Sequence, residues 1–198
     1  MDASKDFFLY TRCMGRMRQA SRPLCVGTET QRRSSYGQRG LDRKDAPHAI
    51  FQYTLAGFGR FRDGSGSHEI GPGMAFLCES HDSDIAYGYP KGATAPWRFV
   101  FLDFTGQAAL VQTRDLIRTY GAVYHLPRCH PVLERLLGFR LHKGFACILS
   151  QAEGARMVND LLMALAGSRE ASAMHQPARQ MVGHVHAFIQ ANMDCEFS

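Results

Sequence analysis

Apolar residues repeat with one period in the first half of this chain and with another in the second, and the change falls near residue 105. Before it, short runs alternate polar with apolar residues or are apolar throughout, and they end at glycine-containing turns. The runs are Pro23–Glu29, His48–Gly57, Gly59–Gly64, Ser67–Ile70, Met74–Glu79, Asp84–Pro90 and Trp97–Phe104. The pair Asp63-Gly64 is a strong hairpin signal between two of them. Short strands at this spacing, joined by such turns, make a sandwich or a barrel. A closed barrel, unlike an open sheet, has an interior that can hold one small ligand.

After Gly106 the repeat is that of helices. Gln107–Gly121 places Leu110, Arg114 and Ile117 at steps of four and three and stops at a glycine. His130–Phe139 carries Pro131 in its first turn. Ser150–Ser168 opens with a serine three residues before Glu153, the spacing of a capping box. Its apolar face, Met157, Val158, Leu161, Leu162 and Leu165, is the widest in the chain. Arg169–Pro177 reads as a small-residue linker, and Ala178–Met193 as a last amphipathic helix bearing Met181, Val185, Phe188 and Ile189 on one face. The fold class expected is α+β: a jelly-roll barrel followed by a helical segment.

Charge is unevenly placed. The net charge is +5, yet residues 1–44 hold ten Lys/Arg against four Asp/Glu, while the remainder holds thirteen against fourteen. The basicity belongs to the start of the chain, and the rest lacks the one-sided basic stripe of a DNA-reading surface. No apolar run approaches the length of a membrane span. The run Phe7–Tyr10 is too short for a signal-peptide core. Six cysteines lie scattered without a CxxC pair or zinc spacing, which fits free thiols in a reducing cytoplasm.

Four stretches, "LAGFGRF", "GPGMAFL", "YGYP" and above all "PWRFVFLDFTG", resemble the N-terminal cupin domain of AraC/XylS-type bacterial transcription regulators. The resemblance covers about residues 20–195. It implies a barrel that binds a small-molecule effector, a helical segment that forms a homodimer, and a DNA-binding pair of helix-turn-helix units. This chain stops at "DCEFS", where that unit would begin, so DNA binding is expected only through a domain absent from it. The organisation expected is a basic mobile arm at 1–22, the barrel at 23–106, the helical dimerisation segment at 107–170, and at 171–198 a linker with the first helix of the absent domain. Within the arm, Phe7–Tyr10 is the only part apolar enough to close over a pocket.

Metal-binding cupins use two histidines and a glutamate on one strand and a later histidine. Counting back from Gly57, the glutamate position holds Ile50 and the histidine positions fall at about Asp45–Pro47; counting on from Gly73, the later positions hold Glu79, His81 and Asp84. No metal and no cofactor is expected on that ligand count. His184 and His186, two apart on a helix, point nearly opposite ways and make a poor metal pair.

Recognition chemistry remains. Alternation puts Trp97, Phe99, Phe101 and Asp103 on one strand face and Arg98, Val100, Leu102 and Phe104 on the other. The resemblance points the first face into the pocket, matches Tyr87 to a position that hydrogen-bonds the effector, and matches Arg43 to an arginine that clamps it. Phe99 and Phe101 would serve equally well as plain core. The candidate ligand-binding residues are Arg43, His48, Tyr87, Phe99 and Phe101, and the candidate dimer contacts are Val158, Leu161, Leu162 and Leu165. The resemblance implies a polar ring or an indole on the last strand of sugar-binding members, where this chain has two phenylalanines; that speaks against a free monosaccharide and leaves a less polar ligand open. The function expected is a metal-free, non-enzymatic sensor domain. The competing expectation is a metal-independent cupin epimerase or isomerase, which would draft His48, Glu79 and Tyr87 as acid–base groups.

Overall fold

The computed structural model describes residues 4–193 apart from Arg16 and Arg18, with side chains described only within residues 7–174. Among the described residues, eleven strands and three α-helices follow one another. They are β1 (Ser4–Met14), β2 (Arg22–Gln31), β3 (Gly37–Arg39), β4 (Ala49–Ala56), β5 (Gly59–Asp63), β6 (Gly66–Ile70), β7 (Met74–Glu79), β8 (Ala86–Gly88), β9 (Trp97–Thr105), α1 (Gln107–Tyr120), β10 (Val123–His125), α2 (Pro131–Gly138), β11 (Ala146–Ser150) and α3 (Gln151–Met193). Seven strands form a large sheet in the order β10-β7-β4-β9-β2-β1-β11, and four form a small one in the order β3-β8-β5-β6. The fold is a cupin-like α+β jelly roll with a helical layer.

The pleat decides which residue serves which core. On β9, Val100, Leu102 and Phe104 join Phe51 and Tyr53 of β4 and Leu77 of β7 in a core shared with the helices. The alternate residues Trp97, Phe99 and Phe101 join Ile50, Phe61, Phe76 and Tyr87 in a second core between the two sheets. Successive strand side chains point to opposite faces, so the middle strands of the large sheet are buried on both sides.

The helices cover the outer face of the large sheet. The capping box of α3 is formed: the Ser150 amide donates to Glu153 Oε2 at 2.8 Å, and the Glu153 amide donates to Ser150 Oγ at 3.1 Å. Gly121, at φ +81°, ends α1 with its amide on the Ile117 carbonyl at 2.8 Å. Arg169 of α3 donates from Nε to the Tyr120 carbonyl at 3.1 Å, tying α3 to the same helix end.

Three expectations are corrected. Residues 4–14 are not an arm but strand β1, antiparallel to β2 and parallel to β11. Residues 169–177 are not a linker, because α3 runs unbroken from Gln151 to Met193. Most consequentially, Val158, Leu161, Leu162 and Leu165 each have no exposed surface within a single chain. The stripe expected to meet a second copy is instead the keel on which α3 sits against the sheet, in a core it shares with Leu116 of α1 and Leu133 and Leu136 of α2. The face of Met181, Val185, Phe188 and Ile189, the pair His184 and His186, and the "DCEFS" ending lie outside the described side chains. Large apolar side chains that do stay exposed include Tyr10, Phe145 and Ile148, near the β1–β11 edge.

Burial of the stripe makes a firm expectation. Leu161→Asp places an unpaired carboxylate in the core and should cost about 4 kcal/mol or more. Urea unfolding will read it as a large drop in midpoint; a well-folded variant of unchanged midpoint would show that Leu161 is a surface residue.

Candidate functional site

Three neighbouring strands of the large sheet line up their interior residues in rows. Cys25 of β2, Asp103 of β9 and Ile50 of β4 are paired partners in one row; Gly27, Phe101 and Gln52 form the next; Glu29, Phe99 and Thr54 form the third. Gly27 gives the Phe101 ring its room, since a Cβ there would stand 3.0 Å from that ring and 2.7 Å from the Phe7 carbonyl oxygen. The small sheet closes over these rows with Tyr87 of β8 and Gln38 of β3. Phe8 of β1 and the loop residue Tyr36 complete the wall, and Arg43 enters from just after the 3-10 turn Gly40–Asp42. Together they enclose a cavity of about 190 Å³.

Arg43, Tyr87, Phe99 and Phe101, all selected from the sequence, therefore meet around one cavity. Arg43 Nη2 donates to the Tyr87 hydroxyl at 2.6 Å, and Nη1 lies 3.3 Å from Asp45 Oδ2. Burial pushes the Tyr87 phenol well above its ordinary range, so it stays neutral and keeps its proton. His48 is different. It does not line the cavity but stands behind Asp103, with Nε2 3.8 Å from Asp103 Oδ2. Its Nδ1 is 2.8 Å from the Ala46 carbonyl oxygen, which only accepts, so Nδ1 carries the hydrogen. In the neutral ring Nε2 is then an acceptor, buried and without a hydrogen-bond partner. The expected ligand contact by His48 is corrected to a supporting position one layer out.

Asp103 is the most constrained ionisable group of the site. Burial raises its carboxyl pKa; the opposing influences are, in order, His48, a hydrogen bond from the Cys25 thiol and the Arg43 charge. That thiol sits 3.4 Å from Oδ2 and is itself held protonated, chiefly by burial and then by the charge of Asp103. Gln52 is almost fully buried at the cavity wall, and its Nε2 has no hydrogen-bond partner. Glu29 accepts from Gln31 Nε2 at 2.9 Å. Among the described residues, no cluster of three or more His, Cys, Asp or Glu is placed to hold a metal ion.

Sequence reading missed a polar half of the wall: Glu29, Gln38, Gln52 and, as a site residue, Asp103. Gln52 was legible, being the one polar residue inside the apolar run Ala49–Tyr53 and sharing the parity of Ile50. Tyr36 and Gln38 carried no signal, lying in a loop and a three-residue strand. With these residues in place, the cavity is no longer the mainly apolar one that two phenylalanines suggested.

No protein-family model and no curated protein matches this sequence. Solved structures resemble it in fold. The AraC-like transcriptional activator CuxR superposes with a TM-score of 0.42 at 14% identity, over 74% of this chain and 50% of that one. YhaK from Escherichia coli gives 0.38 at 14% identity, over 52% of this chain and 45% of its own. The Cupin_2 domain of an XRE family transcriptional regulator from Enterobacter cloacae gives 0.30 at 12%, over 42% and 92%. The chain spans about half the length of CuxR and of YhaK. The likeness is one of fold.

The buried carboxyl predicts a pH signature. With its folded pKa raised, ionised Asp103 costs stability at high pH, and the cost fades as pH falls to the unfolded carboxyl value of about 3.9. Asp103→Asn should therefore raise the thermal midpoint at pH 7, and the gain should shrink toward pH 4. A variant less stable than the parent at pH 7 would show instead that Asp103 is held as the charged partner of His48.

Proposed function

We propose that this chain is the ligand-sensing domain of a bacterial transcription regulator, taking a small organic effector in the barrel without metal and without turnover. The observation that carries the reading is Gln52: a buried amide donor left unpartnered at the wall of a cavity that also presents a guanidinium and a carboxyl. Leaving such a donor unpaired costs about 1–3 kcal/mol, which a ligand oxygen would recover. The cavity is small beside the usual 300–1,000 Å³ of drug-sized sites, so a small metabolite is the fitting class.

Two features favour binding over catalysis. His48, the natural general base of an epimerase, does not line the cavity, and its Nδ1 is committed to a backbone carbonyl. The Tyr87 phenol is pushed up by burial, far from the neutral range suited to acid–base exchange. The likeness to CuxR and to the XRE regulator's cupin domain agrees with a regulatory role. DNA binding, in this reading, belongs to a helix-turn-helix unit outside the barrel and its helices. A homodimer must then use a surface other than the buried stripe of α3.

A thermal-shift screen of small organic metabolites, followed by calorimetry on the best ligand, tests the proposal. We expect one site per chain and a loss of about 1.5–3 kcal/mol of binding on Arg43→Ala. Conversion of the ligand to a product, or affinity indifferent to both Arg43→Ala and Gln52→Leu, would contradict it.

A further inference from the structure

Among the described residues the two sheets end in four edge strands, and three of these are guarded. Strands β3 and β10 are three residues long, and β6 carries His68 and Glu69. Short edges and charged edge residues are defences against pairing with another chain. The fourth edge, β11, has neither: Ala146–Ser150 is five residues long, without a charge or a proline.

The pairing of β11 with β1 shows which of its backbone groups stay open. The Tyr10 amide donates to the Phe145 carbonyl at 2.9 Å, and Tyr10 stands opposite Ala146 in a parallel ladder. In that ladder Phe145, Cys147 and Leu149 turn their amides and carbonyls toward β1, so those of Ala146 and Ile148 turn outward. The Ala146 carbonyl lies 3.0 Å from His142 Nε2. Ile148 presents its amide to the open edge, and its carbonyl meets the Cys147 thiol only at 3.9 Å. The side chains agree. Tyr10, Arg12 and Met14 stand opposite Ala146, Ile148 and Ser150 and share their sheet face. On that face Tyr10, Met14 and Ile148 are 61%, 64% and 68% exposed. The opposite face is used, since Cys147 packs against the core beneath the helices.

We propose that β11 pairs with β11 of a second copy, antiparallel about a two-fold axis at Ile148. Each Ile148 amide then donates to the other copy's Ile148 carbonyl, and the two side chains meet beside Tyr10 and Met14. A two-fold axis needs one residue to offer both a donor and an acceptor, and Ile148 does. The strand is its own complement there, so a second copy is the occupant it fits. This edge is the surface left to a dimer once the stripe of α3 is buried, and it does not depend on what the cavity takes.

Sedimentation of the whole chain should show a dimer that dissociates on dilution. Ile148→Lys places a charge at the axis, and Ile148→Pro removes the outward amide without touching a bond to β1. Each should weaken the dimer about tenfold or more, with a urea midpoint near the parent's showing that the variant folds. A hydrogen-bonded antiparallel pair sets its Cα atoms about 5.5 Å apart, within disulfide reach. Ile148→Cys should therefore give a covalent dimer on mild oxidation, beyond any that the parent's own cysteines give. A parent that stays monomeric at the highest concentration it reaches overturns the proposal and leaves the edge to a strand of another protein. A dimer that Ile148→Lys leaves intact and Ile148→Cys fails to cross-link overturns it too, and neither result bears on the effector site.

Discussion

The middle of the large sheet is buried on both faces, and most of the molecule follows from that constraint. Strand β9 contributes Val100, Leu102 and Phe104 to the core beneath the helices and Trp97, Phe99 and Phe101 to the core between the sheets. A slip of one residue would exchange the two sets, driving Asp103 under the helices and Leu102 into the cavity. Register is therefore pinned by packing on two sides at once. The same pinning fixes the rows Cys25–Asp103–Ile50 and Gly27–Phe101–Gln52 from which the cavity is built. The Trp97 indole adds a lock, donating to Thr54 Oγ1 at 3.0 Å across the β4–β9 pair.

Within that frame the site is assembled at a cost to stability. A carboxyl whose pKa is raised by burial, an imidazole nitrogen and a side-chain amide without partners all stand in or beside one small cavity. Elsewhere in the same core, rings fill the space: Phe61 and Phe76 stack with centroids 4.4 Å apart, and Phe76 meets Tyr87 at 5.0 Å. Buried polar atoms without partners also occur away from the cavity, at Thr113 and Tyr124 among others, but Gln52 is the one of them that lines it, where a partner from outside can complete it.

The strands from β4 to β9 could be read from the sequence because each is a local statement: a run of apolar or alternating residues, with a glycine at or next to one end. The helix caps were equally local, and both Ser150–Glu153 and Gly121 are formed as the spacing required. Strands β1 and β11 were hidden for a different reason. They pair with each other as Tyr10 with Ala146 through Met14 with Ser150, a contact separated by most of the chain, and the basic residues around β1 argued for a solvated arm. Phe8, one of the residues suspected of covering the pocket, does line it, but as part of a strand. The stripe on α3 was correctly located and wrongly assigned. A wide apolar face shows that something covers it, and sequence cannot say whether that is the chain's own sheet or a second copy. Arg43, Tyr87, Phe99 and Phe101 were reached by alternation and by resemblance, whereas Glu29, Gln38 and Tyr36 converge only through tertiary closure.

The barrel carries its own reporter for the central claim that its interior is a ligand site. Trp97 is the only tryptophan, is fully buried, and lies 4.6 Å from the Phe99 ring and 6.2 Å from the Tyr36 ring, both of which line the cavity. Its emission should be titrated with whichever compound stabilises the protein most. A saturable change at one equivalent per chain, lost in Gln52→Leu, is expected. Binding confirmed by calorimetry with Trp97 emission unmoved would place the ligand outside the barrel and contradict the account.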